Sequence, residues 1–478
     1  MSRGPDESLE ARPNVILGVL LLAGLAYAVL SSAVIPALTT IQHDLHTSET
    51  SVAWLVTGFL LSASVGTAII GRLGDMYGKE RLLLWTLLVL SVGTLIAAVT
   101  DSLAVLIAAR VIQGVAGGIF PLAMSIARDE FPPERVPGSI GVISSILGIG
   151  GGCGLVVGGL IVEHLSWHWL FWLPLVVTLL AAFCTWRYIP ESPVRTPGRV
   201  NWRAAVLMSV GMCCVLVAIA QTTVWGWGDT RTVMLFAAGI AVCTVWVFVE
   251  LHSREPLIDM AMMRVRGVWT TNLAAFLLGG GMYASFIVYP QFAQLPRSTG
   301  FGFGASVVVS SLYLVPCAFG MGLLGTVAGR VARRYGSKFA LLFGSATTAV
   351  AFAWLAVAHS HPYDMLISST VLGIGIGLAF AALGNLIVQA VPSSQTGVAS
   401  GMNTVMRTLG GALGGQLSAT FIVNNMRGGL PTVTGFIDTF VMATAFLVVC
   451  VFAGTLVPGR SRVAESLRLD SHLAANPE

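Results

Sequence analysis

Apolar residues run through this chain in stretches of about twenty, broken by short segments that hold most of its charge. A helix rises about 1.5 Å per residue and the hydrocarbon core of a bilayer is about 30 Å thick, so each stretch predicts one membrane-spanning helix. Fourteen are read: 15–38, 51–70, 82–99, 103–126, 138–162, 169–189, 203–222, 232–251, 268–289, 304–327, 339–358, 364–388, 399–424 and 437–457. The first is too long for a signal-peptide core and lacks a small-residue cleavage site, so it reads as a retained span. Composition agrees, since 55% of the residues are hydrophobic and 10% are charged, against about 25% in a soluble domain.

The basic residues orient the chain, because loops rich in Lys and Arg stay cytoplasmic. With the N-terminus inside, cytoplasmic segments hold 21 of the 26 Lys and Arg. The outer loops hold Arg231, Arg297 and Arg427, while Arg110 and Arg407 lie within helices. Both termini are expected in the cytoplasm, in a multi-pass protein of the cell (plasma) membrane. All seven cysteines fall inside expected helices, so disulfides are not expected. The net charge of +4 places basic loops against anionic lipid of the bilayer. No feature points to nucleic acid, a metal or a cofactor.

Two loops carry a repeat. The segment GRLGDMYGKER at 71–81 is charged at five of eleven positions, and GRVARRYGSKF follows at 329–339. A second echo pairs Gly141, Gly154, Gly158 and Gly159 with Gly397, Gly410, Gly414 and Gly415, each 256 residues on. Gly71 and Gly329 are 258 apart, so two independent landmarks share nearly one offset, which indicates internal duplication. The expected fold is all-α and polytopic: fourteen transmembrane helices, as two six-helix pseudo-repeats plus two inserted linker helices. The expected divisions are an N-terminal tail at 1–14, a six-helix bundle at 15–189, the linker with its two extra helices at 190–267, a second bundle at 268–457 and a C-terminal tail at 458–478. Parallel six-span repeats are a transporter architecture with its substrate site between the halves.

The motif Gly71-x-Leu73-Gly74-Asp75-x-x-Gly78-Lys79-x-Arg81 resembles the signature loop of the major facilitator superfamily. Arg110-x-x-Gln113-Gly114 resembles its helix-4 motif, and Gly150-x-x-x-Gly154-Leu155-x-x-Gly158-Gly159 its antiporter helix-5 motif, with Leu155 where proline is usual. WHWLFWLP (167–174), VWGWGD (224–229) and EPLID (255–259) resemble segments of the fourteen-helix drug:proton antiporter family. On its own chemistry, the first motif reads as glycines for a tight reversal, with Lys79 and Arg81 holding the loop in the cytoplasm. The resemblance implies more: Asp75 latches against a helix end of the other half, near Val398, with Arg128 close by. The alternative is a topological anchor. In the echo Arg333 replaces the aspartate, so the latch is expected on one side only. For the helix-5 glycines, plain close packing stands beside control of leakage and helix bend, which the resemblance implies.

A charge inside a membrane helix costs several kcal/mol or more and marks a candidate site. Arg110, with Gln113 one turn on, is expected to line the central cavity; Arg407, with Asn403 one turn before it, is the second candidate. Pairing with backbone carbonyls is the alternative for both. Tyr27, Ser31, Ser32, Trp54, Asn272, Tyr283, Phe380, Asn385 and Gln389 are further candidates for the path. Tyr27 and Tyr283, 256 apart, stand at matching places in helices 1 and 9. No Asp or Glu falls in mid-helix, and Tyr27 stands where the family commonly places an aspartate. A coupled proton would then use a helix-end carboxylate: Asp75, Glu163, Asp364 or Asp438.

The expected function is secondary active efflux of hydrophobic, cationic or neutral small molecules, driven by the proton-motive force and carried out by a monomer. Export of a lipid or amphiphile is the second transport reading. No GxxxxGK[ST] loop is present, and no cluster of nucleophile, base and metal ligands suggests an enzyme.

Overall fold

The structure, a computed structural model, describes residues 7–192 and 200–459. Residues 1–6 and 460–478 of the expected tails, and 193–199 of the expected linker, lie outside the described residues. Fourteen long helices follow in order: α1 (Glu7–Ala33), α2 (Trp54–Tyr77), α3 (Lys79–Val99), α4 (Leu103–Glu130), α5 (Val136–His164), α6 (Trp169–Tyr188) and α7 (Trp202–Ala220). The rest are α8 (Thr230–Leu251), α9 (Arg266–Gln294), α10 (Val315–Tyr335), α11 (Ser337–Val357), α12 (Pro362–Gln389), α13 (Thr396–Asn424) and α14 (Val433–Thr455). Thirteen of these positions are long and apolar enough to cross a bilayer. The exception is α13, 29 residues long, in which six glycines, Asn403, Arg407 and Gln416 dilute the apolar surface. It still holds the apolar run read at 399–424, and the glycine repeat supports its membrane position.

Between α13 and α14 the chain forms a hairpin, Met426–Arg427 paired with Leu430–Pro431. Its turn is Gly428-Gly429, with φ of 59° and 81°. Two consecutive positive φ values are the two-residue turn that glycine accommodates best. The expectation of helices alone misses this strand pair.

The helices pack as two bundles. In the first, α1 lies on α5 and α6, and α4 lies on α2 and α3; in the second, α9 lies on α13 and α14, and α11 and α12 pack together. The bundles meet along two seams, α2 against α13 and α5 against α10. Both seams close at glycines: a Cβ on Gly397 would press on the Gly71 carbonyl, and one on Gly141 would lie 2.8 Å from the Gly325 oxygen. The inserted helices pair with each other, and α7 rests on α2 and α13 beside the first seam. Trp227, after α7, donates to Thr420 Oγ1 of α13 at 2.8 Å.

The repeat has one departure. Gly154 and Gly158 of α5 meet Val29 and Ala33 of α1, while Gly410 and Gly414 of α13 meet Phe276 and Gly280 of α9. The α5 and α13 members are 256 apart, but Val29 and Phe276, like Ala33 and Gly280, are 247 apart. Tyr27 therefore corresponds to Ala274. Tyr283 sits nine positions further along α9, about two and a half turns. The pairing of Tyr27 with Tyr283 by a shared 256 offset is corrected: connections of unequal length let the offset change from helix to helix.

Candidate functional site

The first cluster joins the bundles at the end that carries the turn between α2 and α3. Only Gly78 makes that reversal, with φ of 113°. Gly71 and Gly74 are helical, which corrects their reading as turn residues: Gly71 lies against the backbone of Gly397, and Gly74 against Leu122. Helix α2 thus reaches Tyr77 and carries Asp75 to the first turn of α13. Asp75 is 1% exposed and accepts from the Gly397 amide at 3.2 Å (Oδ1) and the Val398 amide at 3.1 Å (Oδ2). Unpaired amides and the positive end of the helix dipole make a helix start a strong donor site for a carboxylate. Here the cap comes from the other bundle.

Neighbouring side chains reinforce that seam. Arg128 donates through Nη1 to Thr396 Oγ1 at 2.7 Å and through Nη2 to the Val391 carbonyl at 2.9 Å. Lys79 is fully buried and pairs with Asp129, which also accepts from Ser192 Oγ at 2.6 Å. Arg81 does stay on the surface, 3.3 Å from Glu191. Asn385, expected on the path, instead donates to the Pro137 carbonyl at 3.1 Å and so bridges α12 to α5 at the second seam. Arg333, in the aspartate's place in the echo, donates to the Glu134 carbonyl at 3.2 Å. Gln389 lines a cleft of about 480 Å³ at this end, with Arg334 and Lys338. Asp129, Ser192 and Thr396 escaped the sequence reading. The run Ala127-Arg128-Asp129-Glu130 at a helix end was the available signal for the first.

The second cluster is aromatic and cationic. Arg110 is fully buried, donating from Nε to the Leu55 carbonyl at 3.1 Å and from Nη1 to the Leu30 carbonyl at 3.2 Å and Gln113 Oε1 at 2.8 Å. Its guanidinium carbon lies 4.1 Å from the Phe59 ring centroid. Gln113 passes the link to Thr94 Oγ1 at 3.2 Å, so one arginine ties α1, α2, α3 and α4 together. Carbonyl pairing is thus what this conformation holds, and Arg110 is closed off from the space between the bundles. One nitrogen, Nη2, has no hydrogen-bond partner among the described residues. Tyr27 stacks on Phe59 at 5.6 Å and meets Phe120 edge-on at 6.1 Å.

From the other bundle, Arg407 lies over Phe380 with its guanidinium carbon 4.5 Å from the ring centroid. It is 7% exposed, and among the described residues no acceptor hydrogen-bonds to it. Tyr283 and Tyr27 are both within its electrostatic reach, so this point is shared between α13, α12, α9 and α1. Tyr283 packs its ring on Gly411. Asn403 and Asn272 spend their polarity on each other at 3.1 Å, joining α13 to α9, and so belong to packing within the second bundle. Ser31 and Ser32 donate to carbonyls of their own helix. Trp54 opens α2, half-buried.

The helix-5 glycines serve contact. Gly150, Gly154 and Gly158 lie on α1, and Gly159 faces Val308 across the second seam. Helix α5 runs unbroken past Leu155, which is buried against the second bundle. Of the four candidate proton carriers, Asp75 is buried at the seam between the bundles, while the other three are peripheral: Asp364 caps α12, Asp438 accepts from Asn425 at 3.3 Å, and Glu163 is exposed near the end of α5.

Two six-helix bundles meeting on paired seams, with polar contacts across one end and buried polar groups between them, are the architecture of a secondary membrane transporter. The Major Facilitator Superfamily model matches residues 20–415, and the chain belongs to that family. Its fourteen helices agree with the fourteen-helix drug:proton antiporter branch whose motifs it resembles. The Tetracenomycin C resistance and export protein of Streptomyces glaucescens is 29% identical over 419 residues, covering 86% of this chain and 76% of that protein. Multidrug resistance protein 3 of Bacillus subtilis is 27% identical over 416 residues, with 86% and 79% covered. Among solved structures, the human organic anion transporter MFSD10 superposes with a TM-score of 0.65 at 16% identity, over 94% of this chain and 100% of that one. The proton:xylose symporter XylE gives 0.66 at 13%, over 94% and 97%. Both share the fold.

Proposed function

We propose that this transporter exports hydrophobic small molecules, drugs or metabolites, from the cytoplasm by alternating access, using the proton-motive force. Both termini and the Asp75 cluster face the cytoplasm in this reading, supported by the basic residues concentrated at that end. The chain works as a monomer in the bilayer. The observation that carries the reading is the hydrogen-bonding of Asp75 to the first amides of α13, a contact between bundles that must break for the cytoplasmic side to open. Closed there, the protein presents its centre to the other side. The names of its relatives, resistance and export proteins, support the direction of flux. The latch rests on two hydrogen bonds to a charged group, so opening it costs a few kcal/mol that water at the opened carboxylate largely offsets.

The test is efflux from proteoliposomes loaded with a panel of aromatic drugs, with pH and voltage gradients imposed separately. Gradient-dependent efflux that falls strongly in Asp75→Asn is expected. Equal efflux with and without a gradient would refute active export.

A further inference from the structure

We infer that the molecule carried between the bundles bears a negative charge, a carboxylate, phenolate or comparable acid on an aromatic frame, and that Arg407 is its counter-ion. This deepens the export reading and rests on it. It also departs from the sequence-level expectation of a cationic or neutral cargo.

The inference comes from unbalanced charge. Arg407 is 93% buried by the complement of its 7% exposure, and its guanidinium has only the Phe380 face beneath it. Arg110, on the first bundle, keeps Nη2 unpartnered. The charged or titratable groups in reach of Arg407 are Tyr283 and Tyr27, and for Arg110 only Tyr27. Neutral phenols supply no anion, and among the described residues no carboxylate stands in reach of either arginine. Arginine does not shed its proton in proteins. Arg110 has carbonyl and amide oxygens for company, but Arg407, a buried cation with neither anion nor acceptor among the described residues, is costly unless something arriving from outside completes it. A cationic cargo would be repelled by both. A planar acid fits: the guanidinium fork donates in pairs to a carboxylate, and Phe380 beneath Arg407, with Tyr27 and Tyr283 in its reach, makes the surroundings aromatic.

The same charge explains how export can proceed without a carboxylate in mid-membrane. The cytoplasm is electrically negative, so an anion moving outward runs down the membrane potential. About 100 mV supports roughly a fiftyfold gradient for one charge. Voltage then does the work that a titrating aspartate at the Tyr27 position would otherwise do.

The experiment uses three matched fluorescent probes, 1-pyrenebutyrate, its primary amide and 1-pyrenebutylamine, titrated against the full-length protein in nanodiscs. The carboxylate should bind at least about tenfold more tightly than the amide and the amine, the scale of a charge-assisted pair. Arg407→Gln should reduce that preference to about twofold or less, and Arg407→Lys should keep part of it. In proteoliposomes, a potential negative on the cytoplasmic side should speed efflux of the carboxylate and leave the amide unchanged. Equal or tighter binding of the amide or amine, a preference that survives Arg407→Gln, or no binding of any probe would each overturn the inference. Opening of the gate, which can be followed without any cargo, decides the transport reading separately.

Discussion

Asp75 and Gly397 stand 322 positions apart in the chain and 3.2 Å apart across the boundary between the bundles. The contact is possible because neither Gly71 nor Gly397 has a Cβ, so α2 and α13 approach until backbone meets backbone. A small-residue seam and a helix-start cap are here one device. The glycines bring the helices together, and the carboxylate makes the contact polar.

Lys79 and Arg81 differ by two positions and should behave very differently. Lys79 is buried with Asp129, so Lys79→Ala leaves an uncompensated buried carboxylate and should cost about 3–5 kcal/mol. Arg81 is mostly exposed, and Arg81→Ala should cost less than about 1 kcal/mol. Thermal unfolding of both variants in detergent checks this; equal losses would contradict the burial of Lys79.

Arg110 holds three carbonyl or amide oxygens on three helices. Arg110→Leu should abolish most transport and destabilise the first bundle by several kcal/mol, because buried carbonyls lose their donors. Arg110→Lys, one cation without the fork, should recover part of both. Efflux and unfolding measured on the same preparations test it, and an Arg110→Leu variant of unchanged stability would remove the pin.

Topology is checked by single cysteines in a background lacking the seven native ones. Ser298, exposed between α9 and α10, should label from outside the cell, and Ser393, exposed between α12 and α13, only after permeabilisation. Reversed labelling would invert the direction of export.

Much of this arrangement is legible in the chain because the membrane imposes it. Long apolar runs locate all fourteen spans, and the glycine echo independently supports α13, whose glycines and polar residues make it the least apolar of them. Asp75 and its partner near Val398 were readable through the motif. The partners of Arg110 were not: Leu30 and Leu55 act through carbonyls, which every residue has, so no side-chain pattern announces them. Asp129 was obscured because 50 residues separate it from Lys79. Asn385 was misplaced because an amide in a helix looks alike at a path or a seam. Tyr283 was mispaired because a repeat offset is a property of each helix pair rather than of the chain.

The most direct test of gating is the distance between spin labels at Glu134 and Arg334, exposed positions on the two bundles beside the Arg333–Glu134 contact. Double electron–electron resonance on the wild-type protein in nanodiscs should give a short and a longer population. Asp75→Asn, which weakens the cap on α13, should shift weight to the longer one. A single short distance, unchanged in Asp75→Asn and during active efflux, would contradict a gate that opens where Asp75 meets α13.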